Sequence, residues 1–262
     1  MFNRCCGHGI RRGGSRTRPC RWLLALPFVW WIGFAHAQDT QRYESCMAVA
    51  RADGQKGVEA ALAWRRENGG APADHCLATA LVARGDVSEG AQLLEQLAAE
   101  DTSQGAAMRT QLYGQAGRAW LQAGDSRRAW AALTDALRLG GEATDLLVDR
   151  AVALAGLRLY FEAIDDLSRA LDLAPGRAEA FVMRATAWRH LDNLELADDD
   201  LARALALAPD NADAFLERGN IRRLRGENAA ARADWLAVLR LDPDGPAGEA
   251  ARVNIEQMDI RP

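Results

Sequence analysis

The chain has 262 residues, of which 49% are hydrophobic and 26% charged, a balance that supports a folded core and excludes extended disorder over most of its length. Its charge is uneven. All six basic residues before position 37 are Arg, with no acid among them, which leaves 26 basic against 36 acidic residues and a net charge near −10 for the remainder. A surface of that sign argues against a nucleic-acid partner, because phosphate binding needs an excess of cations.

Residues 1–37 have the layout of a targeting segment. An Arg-bearing stretch (Arg11, Arg12, Arg16, Arg18, Arg21) precedes an apolar run from Trp22 to Phe34, and Ala35-His36-Ala37 stands before Gln38. This is the charged, apolar, small-x-small order of a secretory signal peptide, and it predicts cleavage after Ala37 and export to the periplasm or an equivalent space. The alternative is a retained anchor, but the run of 13 residues falls short of the roughly 20 needed to cross a bilayer. No stable membrane span is expected once the signal is removed.

Export bears on the cysteines. Cys5, Cys6 and Cys20 leave with the signal, so the mature chain keeps Cys46 and Cys76. Two thiols in an oxidising compartment are expected to pair. Closing a loop of about 30 residues would add roughly 3 to 4 kcal/mol on the chain-entropy model. The alternative is two buried apolar thiols. A metal site from Cys46, His75 and Cys76 does not resemble a closed zinc site, and no metal or cofactor is expected.

Residues 38–70 read as an irregular helix pair, with Met47, Ala48, Ala60 and Trp64 at helical spacing. A second pair is expected over 71–109, where Ala78, Gly85, Gly90, Leu94 and Leu97 fill places that recur further along, followed by about five extra residues. The segment 110–143 keeps the register more closely, through Tyr113, Gly117, Trp120, Gly124, Ala129, Leu133 and Ala136. Three peptides, 144–177, 178–211 and 212–245, then overlay without a gap at a period of 34 residues. Their fourth places hold Leu147, Phe181 and Phe215, and their eighth Ala151, Ala185 and Gly219. Ala163, Ala197 and Ala231 stand at the twentieth place, Ala170, Ala204 and Val238 at the twenty-seventh, and Pro175, Pro209 and Pro243 at the thirty-second. Small residues on facing surfaces let helix axes approach to about 8 to 10 Å. Leu167, Leu201 and Trp235 at the twenty-fourth place fill the gap toward the next pair, and the Pro stops the second helix. Residues 246–262 start with a Pro and keep helical periodicity, as a C-terminal capping helix and tail.

This period and its set of small, large and Pro places resemble the tetratricopeptide repeat family. The resemblance covers nearly all of residues 41–258. It implies an all-α fold, a right-handed α-α superhelix of about five to six helix pairs with a capping helix, and a concave groove lined by the first helix of each pair. The residues it places there are Arg118 and Gln122, then Thr186, Arg189 and His190, then Asn220 and Arg223. It also places there Gln111, Glu179 and Asp213, at the second place. The carboxylate clamp of some family members needs Lys and Asn at the fifth and ninth places. Here the fifth places hold Val148, Val182 and Leu216, and at the ninth only Asn220 matches, so another kind of segment is expected.

Charges recur with the repeat. Arg150, Arg184 and Arg218 occupy the seventh place and Asp166, Asp200 and Asp234 the twenty-third, whereas the 110–143 segment has Ala116 and Ala132 there. Charges that occur together and vanish together predict Arg–Asp bridges between the two helices of one pair, a ladder that fixes register more than it adds stability. Asp165 with Arg169 and Asp199 with Arg203 read as i,i+4 surface pairs. No Gly-rich phosphate loop, nucleophile elbow or paired-His metal motif is present, and His190 beside Arg189 reads as a surface contact. The expected function is non-catalytic: a protein-protein interaction scaffold for a protein or peptide partner. The alternatives are a self-associating assembly factor or an accessory subunit of an envelope enzyme complex. Oligomeric state is not legible in the sequence.

Overall fold

A computed structural model describes residues 29–100 and 105–260, so most of the expected signal peptide and the last two residues of the tail lie outside the described residues. The chain divides into two units, Met1–Gln41 and Arg42–Pro262. Among the described residues there are thirteen α-helices. They are α1 (Val29–Ala52), α2 (Gly54–Arg66), α3 (Gly70–Arg84), α4 (Val87–Glu100), α5 (Gly105–Gln122), α6 (Ser126–Gly140), α7 (Thr144–Gly156), α8 (Tyr160–Leu173), α9 (Ala178–His190), α10 (Leu194–Leu207), α11 (Ala212–Leu224), α12 (Asn228–Leu241) and α13 (Pro246–Ile260). Helix α1 begins in the first unit and runs through the position at which cleavage is expected. The rest belong to the second unit, an all-α repeat solenoid.

Local chemistry sets the helix ends at fixed places of the repeat. Asp125 and Asn193, both at the sixteenth place, accept from the backbone N–H groups of Arg128 and Leu196 and so cap α6 and α10. One residue earlier the backbone turns left-handed in all four regular repeats, at Gly124, Arg158, Asp192 and Gly226. Helices α8, α10 and α12 all stop at a Leu, and the N–H of the following residue bonds back to the carbonyl of Ala170, Ala204 or Val238. A Pro comes next in each case, has no N–H to continue the ladder, and sends the chain into the following pair. At the corresponding point of α6 the turn is made by Gly141, with φ of +76°.

Helix α5 keeps the expected register at its end but starts earlier than its counterparts. It has 18 residues where α7, α9 and α11 have 13, because Gly105–Arg109 wind into an added first turn rather than forming a spacer. The extension is tied down by Arg109, whose Nε donates to the Ala98 carbonyl at the end of α4 (2.7 Å).

Burial follows the small-residue places. Ala163, Ala197, Ala231, Ala170, Ala204 and Val238 are fully buried. Where the facing side chain is largest, the eighth place has lost its Cβ: one added to Gly219 would lie 2.5 Å from Trp235 Nε1. The buried apolar side chains form four successive patches, and each crosses repeat boundaries. The largest runs from Leu147 to Ile221 and draws on α7 to α11. No pair closes its own core, so the fold is held by nearest-neighbour stacking.

Candidate functional site on the first-helix layer

The first helices form a layer of their own: α5 packs on α7, α7 on α9, α9 on α11 and α11 on α13. On the N-terminal side a disulfide joins Cys46 of α1 to Cys76 of α3, with Cα atoms 6.0 Å apart. Beside it, Tyr43 Oη lies 2.8 Å from His75 Nδ1, and His75 Nε2 lies 2.8 Å from Gln115 Oε1. A glutamine oxygen only accepts, so Nε2 carries the ring proton and Nδ1 accepts from the tyrosine hydroxyl. Burial lowers the His75 pKa and keeps the ring neutral, with Arg51 adding to the effect.

Behind this layer the repeated charges meet. Arg150 donates from Nε and Nη2 to the two oxygens of Asp166, both at 2.7 Å. Arg184 does the same to Asp200 at 2.8 Å, and Arg218 to Asp234 at 3.0 and 2.8 Å. The three carboxylates are almost fully buried. Two of the three guanidinium groups also reach the preceding repeat: Arg150 Nη1 lies 3.5 Å from Thr134 Oγ1, and Arg184 Nη1 lies 2.9 Å from Ser168 Oγ. Ala202 stands at that place before Arg218 and offers no hydroxyl. There Arg222 bonds Asp234 instead, at 2.7 Å. The expected i,i+4 surface pairs give way to other contacts. Arg169 bonds Glu142 and Asp166, and Arg203 lies over the Phe181 ring at 5.9 Å. Asp166 is three residues from Arg169 and already ordered by Arg150, which makes it the better acceptor.

The groove residues divide between two cavities. Arg118 and Gln122 border one of about 350 Å³ at the α1, α3 and α5 end. Arg189, Asn220 and Arg223 border another of about 570 Å³, closed by Trp235 and by Asn254, Gln257, Met258 and Ile260. Thr186 and His190 line neither. The Thr186 hydroxyl donates to Val182 O of its own helix (3.1 Å), and His190 stacks on Tyr160 with ring centroids 4.5 Å apart. Burial, with Arg189 second, lowers the His190 pKa.

Nor are the groove arginines open clamps. Arg118 Nη1 donates to Asp149 (3.1 Å), Arg189 Nε donates to Glu217, and Arg223 Nη1 donates to Asn228 Oδ1 (2.5 Å). Asp149 and Glu217 both occupy the sixth place, which the periodicity does not single out because Met183 stands there in the repeat between. Burial raises the Asp149 carboxyl, against the pull of Arg118. Glu217 also accepts from Asn220 Nδ2 (3.1 Å), whose Oδ1 accepts from Asn254 Nδ2 (2.9 Å). A continuous polar chain thus runs from Arg189 on α9, through α11, to α13.

No family model and no curated protein matches the chain. Solved structures do. MamA 41-end from Desulfovibrio magneticus RS-1 superposes with a TM-score of 0.58 at 19% identity, over 67% of this chain and 97% of that one. YrrB, titled a TPR protein with an unusual peptide-binding site, gives 0.53 at 20% identity, over 72% and 95%. The chain has the tetratricopeptide-repeat fold. In this tetratricopeptide-repeat chain the first helices of successive pairs pack on one another, and both cavities are bordered by them. Among the described residues no helix is long and apolar enough to cross a membrane.

Proposed function

We propose that the chain is a non-catalytic scaffold that holds a peptide segment or partner protein on its first-helix layer, in an exported compartment. The observation that supports it best is the 570 Å³ cavity between α9, α11 and α13, where Arg and amide donors border Trp235, Met258 and Ile260. Recognition sites for peptides combine an apolar floor with a few oriented polar groups in this way. A solved neighbour of the same fold is described as having a peptide-binding site, which favours a binding role over a purely structural one. Crosslinking in the native envelope, followed by mass spectrometry, tests the reading. Partners should crosslink through α9, α11 and α13 and be lost in an Arg223→Glu/Gln257→Glu variant that still melts normally. Crosslinks confined to the second helices would refute it.

Export is supported by the order of residues 1–37 and by the Cys46–Cys76 bridge. Sequencing the N-terminus of protein recovered from the periplasmic fraction should begin at Gln38, and recovery from the cytosol with residue 1 intact would overturn it. A second reading, self-association, draws on α13, where Val253 and Ile260 are exposed. Light scattering on the eluting protein separates the two, since a monomer at all concentrations removes self-association.

A further inference from the structure

The cavity at the α1, α3 and α5 end has a composition that the proposed partner site does not account for. Helix α3 stands between the other two, joined to α1 by the disulfide and by Tyr43–His75, and to α5 by His75–Gln115. Its Val82 forms the floor with Leu94 and Ala119. Arg51 rises from α1 on one side and Arg118 from α5 on the other. Arg51 is exposed at the last turn of α1 and, among the described residues, makes no ion pair or hydrogen bond. Arg118 has Asp149 on one nitrogen, yet its side chain remains 51% exposed. None of the residues bordering the cavity is acidic. Gln115, whose oxygen is committed to His75, borders the same space.

We propose that this cavity binds a partner-protein segment in which one aliphatic side chain is flanked by two acidic ones, the acids meeting Arg51 and Arg118 and the aliphatic group the floor between them. The proposal rests on the reading of the first-helix layer as the binding face. Two cations on opposite walls of an apolar floor match that order of side chains, and guanidinium groups bind carboxylates by paired, charge-assisted hydrogen bonds. The chain's own leader cannot be the occupant, because it carries Arg and no acid. Side-chain carboxylates suffice, so a free C-terminus is not required.

The test uses the mature protein and acetylated, amidated, fluorescein-labelled Ser/Gly decapeptides that differ only in a central triplet, read by fluorescence anisotropy. Glu-Leu-Glu should bind, and Gln-Leu-Gln and Glu-Ser-Glu should each bind at least tenfold more weakly. Raising salt should weaken Glu-Leu-Glu. Arg51→Ala should reduce its binding at least tenfold at unchanged Tm, and Arg51→Glu should shift the preference toward Lys-Leu-Glu. Equal binding of Gln-Leu-Gln, no binding of Glu-Leu-Glu, or full binding by Arg51→Ala overturns the proposal. So does a dimer that Arg51→Ala dissolves, which would make a second copy the occupant. Loss of Glu-Leu-Glu binding in Arg223→Glu/Gln257→Glu with retention in Arg51→Ala moves the acidic segment to the α9, α11 and α13 cavity, leaving the scaffold reading intact.

Discussion

Arg158 and Asp192 occupy a left-handed turn that Gly124 and Gly226 occupy in the flanking repeats, with φ of 61° and 59°. A Cβ in that region crowds the following carbonyl, and glycine removes the crowding while losing more chain entropy on folding. Arg158→Gly should therefore stabilise by about 0.5 kcal/mol, read as a higher midpoint in urea with an unchanged slope. Gly219 presents the reverse case, because an added Cβ meets the edge of the Trp235 indole. Gly219→Ala should cost about 1 to 3 kcal/mol by overpacking, and a wild-type melting curve would contradict the eighth-to-twenty-fourth contact. These positions also show where sequence reading ends. The small-residue places are legible because every occupant answers to one facing helix. The left-handed place is not, since an Arg and an Asp there look like ordinary surface residues. Glu217 escapes for another reason: its partner Arg189 lies 28 residues away, a separation that matches neither the repeat nor a helix turn.

At the scale of elements, α1 is held by the disulfide and by the Tyr43–His75–Gln115 chain. Reduction should lower Tm by several degrees, in line with about 3 to 4 kcal/mol for a loop of 30 residues. Mass spectrometry showing two free thiols in the purified mature protein would contradict the bridge. The His75 ring is neutral when folded and titrates near 6.5 when released. Its contribution is complete above that pH and is lost as the pH falls below it, because the unfolded chain then binds the proton more readily. Tm should fall from pH 7.5 to 5.5, and His75→Gln should flatten the slope; an equally steep slope in the variant would assign it elsewhere. His190 shifts in the same direction, which is why the comparison with the variant is needed. Asp149 and Glu95, raised by burial, work in the opposite sense as pH rises through their folded values. Element boundaries were readable wherever Pro or Gly ends a helix. The added turn of α5 was not, because Gly105–Arg109 falls between two pairs and answers to no repeat place.

Across the whole molecule, stacking makes stability a sum of neighbouring interfaces, and those interfaces are unequal. Arg150 and Arg184 each pin the preceding repeat through a hydroxyl, whereas the step from α10 to α11 lacks one. That step also has the thinnest packing of a second helix on the first helix that follows, although Arg225 crosses it to Asp198 and to the Leu194 carbonyl and Arg189 crosses it to Glu217. Strain applied along the axis, by heat or by a tugging partner, should part the molecule there first, with α11, α12 and α13 exchanging their amide hydrogens as one block ahead of α7 to α10. Ala202→Ser would supply the missing rivet, and slower exchange of that block by a factor of about five, equivalent to about 1 kcal/mol, would be its signature.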